Sequence, residues 1–319
     1  GSGEDTVFDL IVAAEAEGWI ADLVRAAREQ YPGNLELAVI DFTVTVTPEV
    51  RAGVGLELLT TPGLEFLDLS LWAERLPGVE GRVCAIEING KHRGTGFLVG
   101  PDVVMTNYHV MRPAIDSKTA AGVVARFDWN WDPVASRRDG TEYELADDWL
   151  IDHSTYSTVD GVLDAGGRLP DEDQLDYSLL RLAPEPVTRA DDAPADRGWI
   201  RVPQEGYVFA PDGFLMIAQH PCGEEIKMAI DGRAIIDVNG NGTRVRYRTN
   251  TQPGSSGSPC FGPDLSLVAL HHGSEPQNEW PPPDPCAGDP VTASYNRGIP
   301  IQAVVALARK HEVAHVFGD

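Results

Sequence analysis

The chain has 319 residues, and its 49 acidic against 25 basic side chains leave a formal net charge of −24. So acidic a surface repels phosphate backbones, which excludes nucleic acid as an expected partner. A hydrophobic content of 42% supports a sizeable buried core, yet no stretch reaches the roughly 18 consecutive apolar residues of a membrane helix, so no membrane partner is expected either.

In chain order, residues 5–31 read as two short amphipathic helices. Val7, Phe8, Leu10, Ile11 and Ala14 share one stripe up to Gly18; Ile20, Leu23, Val24 and Ala27 repeat the spacing until Tyr31-Pro-Gly-Asn breaks it. Residues 38–78 form a connector in which DFTVTVTPEV alternates like a strand and LEFLDLSLWAERL fits one helix. No basic start followed by an apolar run marks a secretory signal in residues 1–30.

From about residue 79 the texture changes to short apolar runs punctuated by Gly, Pro and Asn. RVCAIEI, GTGFLVG, DVVMTN, YSLLRL, YVFA, FLMIAQ, RAIIDV, RVRYRT, SPCFG and LSLVAL all read as strands, and NGNG at 239–242 as a hairpin turn. The polar stretch between Lys118 and Asp176 reads as surface loops. Helical spacing returns only in IQAVVALARKHEVAHVF at the end. Many short strands with one closing helix predict a mainly β sandwich or barrel. Four cysteines, Cys84, Cys222, Cys260 and Cys286, stand far apart without a CxxC pair. Structural free thiols in a reducing, cytoplasmic setting are therefore expected, with a Cys222–Cys260 pair as the alternative.

Three segments carry chemistry. Amide hydrolysis by a serine needs a base for its proton, a buried carboxylate to orient that base, and backbone N–H groups for the oxyanion. TQPGSSGSPCF supplies the nucleophile as Ser256, with Ser255 and Ser258 competing, and the amides of Gly254 and Ser256 as the oxyanion hole. GTGFLVGPDVVMTNYHV supplies His109 as base, and QLDYSLLRL supplies Asp176 ahead of a strand. Each segment alone is weak, since a Gly/Ser loop, a lone His and a pre-strand Asp are common structural features. The order His–Asp–Ser within one β-rich region joins them.

These segments resemble the trypsin-like peptidases, in particular a bacterial branch related to the staphylococcal glutamyl endopeptidase. TNYHV, DYSLLRL and GSSGSP match the motifs around the three catalytic residues, and QHPCGEEIK and NRGIPI resemble further segments of that branch. The resemblance implies a chymotrypsin-like double β-barrel with a C-terminal helix over residues 79–319, preceded by a small helical segment. It implies a serine endopeptidase acting on a protein substrate without a cofactor. Asn250 stands at the pocket base where trypsins carry an Asp, and Thr251 and His271 match the pair that glutamyl endopeptidases use on acidic side chains. Cleavage after Glu or Asp is the expectation, with a protonated His271 adding charge; His271-His272 as plain strand residues is the alternative. Unlike secreted trypsins, the chain has no Ile-Val-Gly-Gly start, so activation by N-terminal cleavage is not expected.

HEVAH at 311–315 fits the HExxH zinc pattern, but only four residues follow it, no third ligand is evident, and no metal is expected. FDLIVAAEAEGWIADLVRAAREQYPGN, within residues 1–37, resembles part of the bacterial effector-associated domain. That implies recruitment through a like-with-like partner in a conflict system; a structural brace is the alternative. A non-catalytic adaptor on a protease fold is the competing reading of the whole, ahead of a quality-control protease of the HtrA type.

Overall fold

The structure, a computed structural model, describes residues 19–31, 66–131, 140–162, 166–190, 193–194, 196–274, 286 and 294–318. The chain divides into two compact units, residues 1–65 and 66–319. Of the first, only helix α1 (Ile20–Gln30) falls in the described residues, and it matches the second expected amphipathic repeat. The first repeat and the DFTVTVTPEV segment lie outside them.

In the second unit, α2 (Leu69–Glu80) starts at Asp68, whose carboxylate accepts the Leu71 amide at 2.9 Å. It is not a free connector, because Trp72 is buried in the core and its indole donates to the Pro263 carbonyl at 2.8 Å. Six strands then close a barrel in the order β1-β2-β3-β6-β5-β4: β1 (Val83–Ile88), β2 (Lys91–Leu98), β3 (Val103–Thr106), β4 (Val123–Phe127), β5 (Thr141–Ser154) and β6 (Tyr177–Leu182). Helix α3 (Tyr108–Ser117) leaves the end of β3.

Seven further strands form one sheet in the order β8-β7-β11-β12-β13-β10-β9. They are β7 (Leu215–Gln219), β8 (Lys227–Asp231), β9 (Ile235–Val238), β10 (Val245–Tyr247), β11 (Pro259–Phe261), β12 (Leu267–Ser274) and β13 (Asn296–Pro300). Helix α4 (Ile301–Lys310) follows directly and buries Ile301, Val304, Val305, Leu307 and Ala308. The architecture is thus the expected mainly β, chymotrypsin-like double barrel: a closed barrel, a half-barrel and a C-terminal helix.

Four sequence expectations need correction. β4 and β5 run through the stretch read as loops; β5 is half-exposed along most of its length, so its residues are polar and hide the strand. YVFA forms no strand, and Val208 within it is 64% exposed. The closing helix stops at Lys310, and Glu312 takes a left-handed φ of 62°, so HEVAH has no shared helical face for two histidines. His311 turns to Asp152 instead, at 3.0 Å. Finally, Cys222 pairs with Cys286, while Cys84 and Cys260 are free and buried. The thiol argument for a reducing compartment therefore fails for half of the cysteines, and so does the Cys222–Cys260 alternative.

Candidate active site

Asp176 sits at the mouth of β6 in a left-handed conformation, φ 48°, and its side chain is fully buried. Such a backbone is costly for a residue other than glycine and persists only where surroundings over-determine it. Here they do. The Asp176 carbonyl accepts Tyr108 N (3.2 Å) and Asn107 Nδ2 (2.9 Å), and its amide donates to the Thr155 carbonyl (3.1 Å). Asn107, at the N-cap of α3, thus spends its side chain on Asp176 rather than on its own helix.

The carboxylate is as fully occupied. Oδ1 accepts the His109 amide at 2.9 Å, and Oδ2 accepts two imidazoles at 2.7 Å each, His109 Nδ1 and His272 Nδ1. Burial pushes this carboxyl's pKa up, but the charges and hydrogen bonds of His109 and His272 outweigh it and bring it down to about 2. Asp176 is ionised at neutral pH. Its hold on Nδ1 leaves Nε2 of the half-exposed His109 as the nitrogen free to accept a proton. An ionised carboxylate only accepts, so each imidazole turns an Nδ1–H towards Asp176.

The serine loop is placed by two glycines. At Gly257 (φ 87°) a Cβ would collide with the Thr95 carbonyl and the Thr106 hydroxyl, two elements that lead into His109. At Gly254 (φ 96°) a Cβ would stand 2.5 Å from His92 Nε2 and 2.8 Å from the His220 carbonyl. The Ser256 carbonyl accepts Thr95 N at 2.8 Å, and Gly257 N donates to the His271 carbonyl at 3.0 Å. One side of the loop is therefore pinned to β2 and the other to the residue before His272.

Among the three serines, Ser255 is buried and its hydroxyl accepts the Gln252 amide, while Ser258 is buried; Ser256 is half-buried. The Pro253 carbonyl accepts Cys222 N at 2.6 Å. A trans peptide directs its N–H opposite to its C=O, so the Gly254 amide points away from Cys222. Among the described residues neither the Gly254 nor the Ser256 amide donates to an intramolecular partner.

The residues expected to line the specificity pocket differ in burial. Asn250 is exposed and its carbonyl accepts Gln219 Nε2 at 3.1 Å; Thr251 is half-buried. His271 is buried, with Nδ1 2.6 Å from the Tyr247 hydroxyl. Burial first, then the charges of His272 and His109, drive its pKa down to about 3, so the expected imidazolium at His271 is corrected to a neutral ring.

Residues 94–270 match the model of the trypsin-like peptidase domain. The chain belongs to the trypsin-like peptidase family. This trypsin-like peptidase also matches effector-associated domain 1 over residues 1–41. It is 24% identical over 82% of its length to an uncharacterized protein, y4fB, of Sinorhizobium fredii, and 26% identical over 77% to a probable serine protease of Lysobacter enzymogenes. It spans 38% and 36% of those two relatives' lengths. Among solved structures, the active form of the Rv3671c protease from M. tuberculosis is similar over 80% of this chain and 93% of that chain, at 15% identity and a TM-score of 0.45. The inactive form of the Rv3671c protease covers 77% of this chain and 98% of its own, at 15% identity and a TM-score of 0.43.

Sequence reasoning missed His272 as a partner of Asp176, and Asp160 behind it. The HH pair in LVALHHGS was a visible signal for the first; Asp160 lies in the stretch read as loops and gave none.

Proposed function

We propose that this trypsin-like peptidase is a serine endopeptidase with His109, Asp176 and Ser256 as its triad. The observation that carries the reading is the buried, ionised Asp176 holding His109 through both its amide and Nδ1. Ser256 Oγ bonds to the scissile carbonyl carbon while His109 Nε2 takes the hydroxyl proton. The resulting oxyanion receives the N–H groups of Gly254 and Ser256, which have no other partner to leave. His109 then returns the proton to the leaving amine as the C–N bond breaks. Water, deprotonated by the same nitrogen, hydrolyses the acyl-enzyme.

Cleavage after Glu or Asp is the specificity we assign, with Thr251 and the neutral His271 as hydrogen-bonding groups and Asn250 replacing a fixed negative charge. The match to effector-associated domain 1 supports recruitment to a protein target through like-with-like helical contacts, in a bacterial defence setting. A mixed protein digest analysed by mass spectrometry tests the reading. Wild-type chain generates new peptide termini and Ser256→Ala does not. Equal cleavage by both, or inhibition by a chelator but not by a serine-directed phosphonate, would remove the triad from the chemistry. Absence of cleavage by either would favour the adaptor.

A further inference from the structure

His272 lies buried between two carboxylates. Its Nδ1 is 2.7 Å from Asp176 Oδ2 and its Nε2 is 3.3 Å from Asp160 Oδ2. Asp160, on the 3-10 turn Thr158–Gly161, is held in turn by the buried Arg244, through Nε (3.0 Å) and Nη2 (2.6 Å), and by Arg297 Nη1 (3.3 Å). Arg244 also donates to the Gln174 carbonyl at 2.8 Å, two residues before Asp176. His272 thus ties the triad carboxylate to a second anchored carboxylate, all three side chains being buried.

The protonation of this ring follows from its neighbours. A neutral imidazole carries one N–H and one lone pair. With a carboxylate at each nitrogen, the neutral ring must aim its lone pair at an anion. Only the imidazolium donates to both. We propose that His272 is a positioning residue of the triad: a doubly protonated imidazole that holds Asp176 from a second direction and moderates the negative charge His109 feels. The inference rests on the reading of His109, Asp176 and Ser256 as the working triad.

The titratable groups facing His272 are Asp176 ahead of β6, Asp160 on the 3-10 turn, and His109 on α3, whose ring centroid is 6.0 Å away. Neutral His271 precedes it on β12, and Arg244 and Arg297 lie behind Asp160. Burial and Arg244 oppose its charge, but the hydrogen bonds to Asp160 and Asp176 outweigh them and raise its pKa. Asp160 is held well below the usual carboxylate range: burial raises it, and the His272 and Arg244 bonds overcome that. The two carboxylates and the imidazolium between them are therefore mutually stabilising.

A cation this close to Asp176 disfavours a second one on His109. Removing it makes protonated, inactive His109 easier to form, so the acid limb of activity moves to higher pH. The substitution His272→Asn keeps an N–H donor where Nδ1 stood and loses the charge. The expected shift of the acid limb in kcat/KM is about one to two pH units upward, from the repulsion of two unit charges roughly 6 Å apart in an intermediate dielectric. A fall in activity without that shift, or a shift downward, would overturn the proposal, since a packing role alone changes amplitude only.

Ring-nitrogen NMR on the wild-type chain tests the charge without any variant. His272 is expected to show two protonated nitrogens from pH 6 to pH 8, while His271 shows a single protonated nitrogen. A neutral His272 in that range would refute the assignment even if H272N proved unstable. The two readings fail separately: a wild-type chain that a fluorophosphonate does not label loses the triad, while the His272 resonances still report its charge.

Discussion

Replacing Asp176 by Asn is the sharpest probe of how the carboxylate works. The present side chain accepts three N–H groups: His109 N on Oδ1, and the two imidazole Nδ1 atoms on Oδ2. An Asn has one acceptor and one donor, so one side must be wrong. If its amide nitrogen faces the rings, His109 is driven into the tautomer with Nε2 protonated, which cannot take the serine proton. If it faces the His109 amide, donor meets donor at 2.9 Å and the segment is pushed apart. Two charge-assisted bonds at roughly 1.5–3 kcal/mol each are lost, about 3–6 kcal/mol together. If that loss falls on the transition state, reactivity drops roughly a hundred- to ten-thousand-fold. The second-order rate of Ser256 inactivation by a fluorophosphonate measures it without knowledge of the substrate, with circular dichroism confirming the fold. A folded D176N chain that reacts within tenfold of wild type would refute the reasoning.

Acid stability should follow the same carboxylate. Its pKa of about 2 lies below the unfolded value of 3.8, so its contribution, about 2 kcal/mol, is complete above roughly pH 4 and is lost as pH falls towards 2. Urea midpoints measured across that window should fall, and a flat profile would contradict the burial-plus-imidazole account. Breaking the Cys222–Cys286 bridge, which spans a sequence separation of 64, should cost up to about 4 kcal/mol by the loop-entropy argument. Because Cys222 N holds the Pro253 carbonyl, the Cys222→Ser and Cys286→Ser double variant should also lower kcat more than it raises KM, read on any cleaved peptide. A peptide library varying the residue before the scissile bond should give cleavage after Glu or Asp, weakened in His271→Ala. Efficient cleavage after Arg or Lys with none after Glu would overturn that assignment.

The fold was legible where burial is two-sided. Val83–Ile88, Tyr177–Leu182 and Leu215–Gln219 are buried almost throughout, and such strands announce themselves as apolar runs. β5 was hidden because its faces are half-wet and its pairing with β6 shifts register twice between Leu145 and Asp152. YVFA misled in the opposite sense: Val208 faces solvent, while Tyr207 and Phe209 pack partly buried against the core without pairing as a strand. His109, Asp176 and Ser256 were named from three short segments taken in order: a Gly/Ser loop, a His just past a strand and an Asp just ahead of one. His272 and the Cys222–Cys286 pairing were not, because their meaning lies in partners 96, 112 and 64 positions away, Asp176, Asp160 and Cys222. Only a folded chain brings those together.

The central claim is that Ser256 is the nucleophile activated by His109 and Asp176. Mass spectrometry of the wild-type chain after fluorophosphonate treatment tests it most directly. One adduct is expected, on Ser256, and none after His109→Ala. An adduct on Ser255 or Ser258, or unchanged labelling without His109, would contradict it.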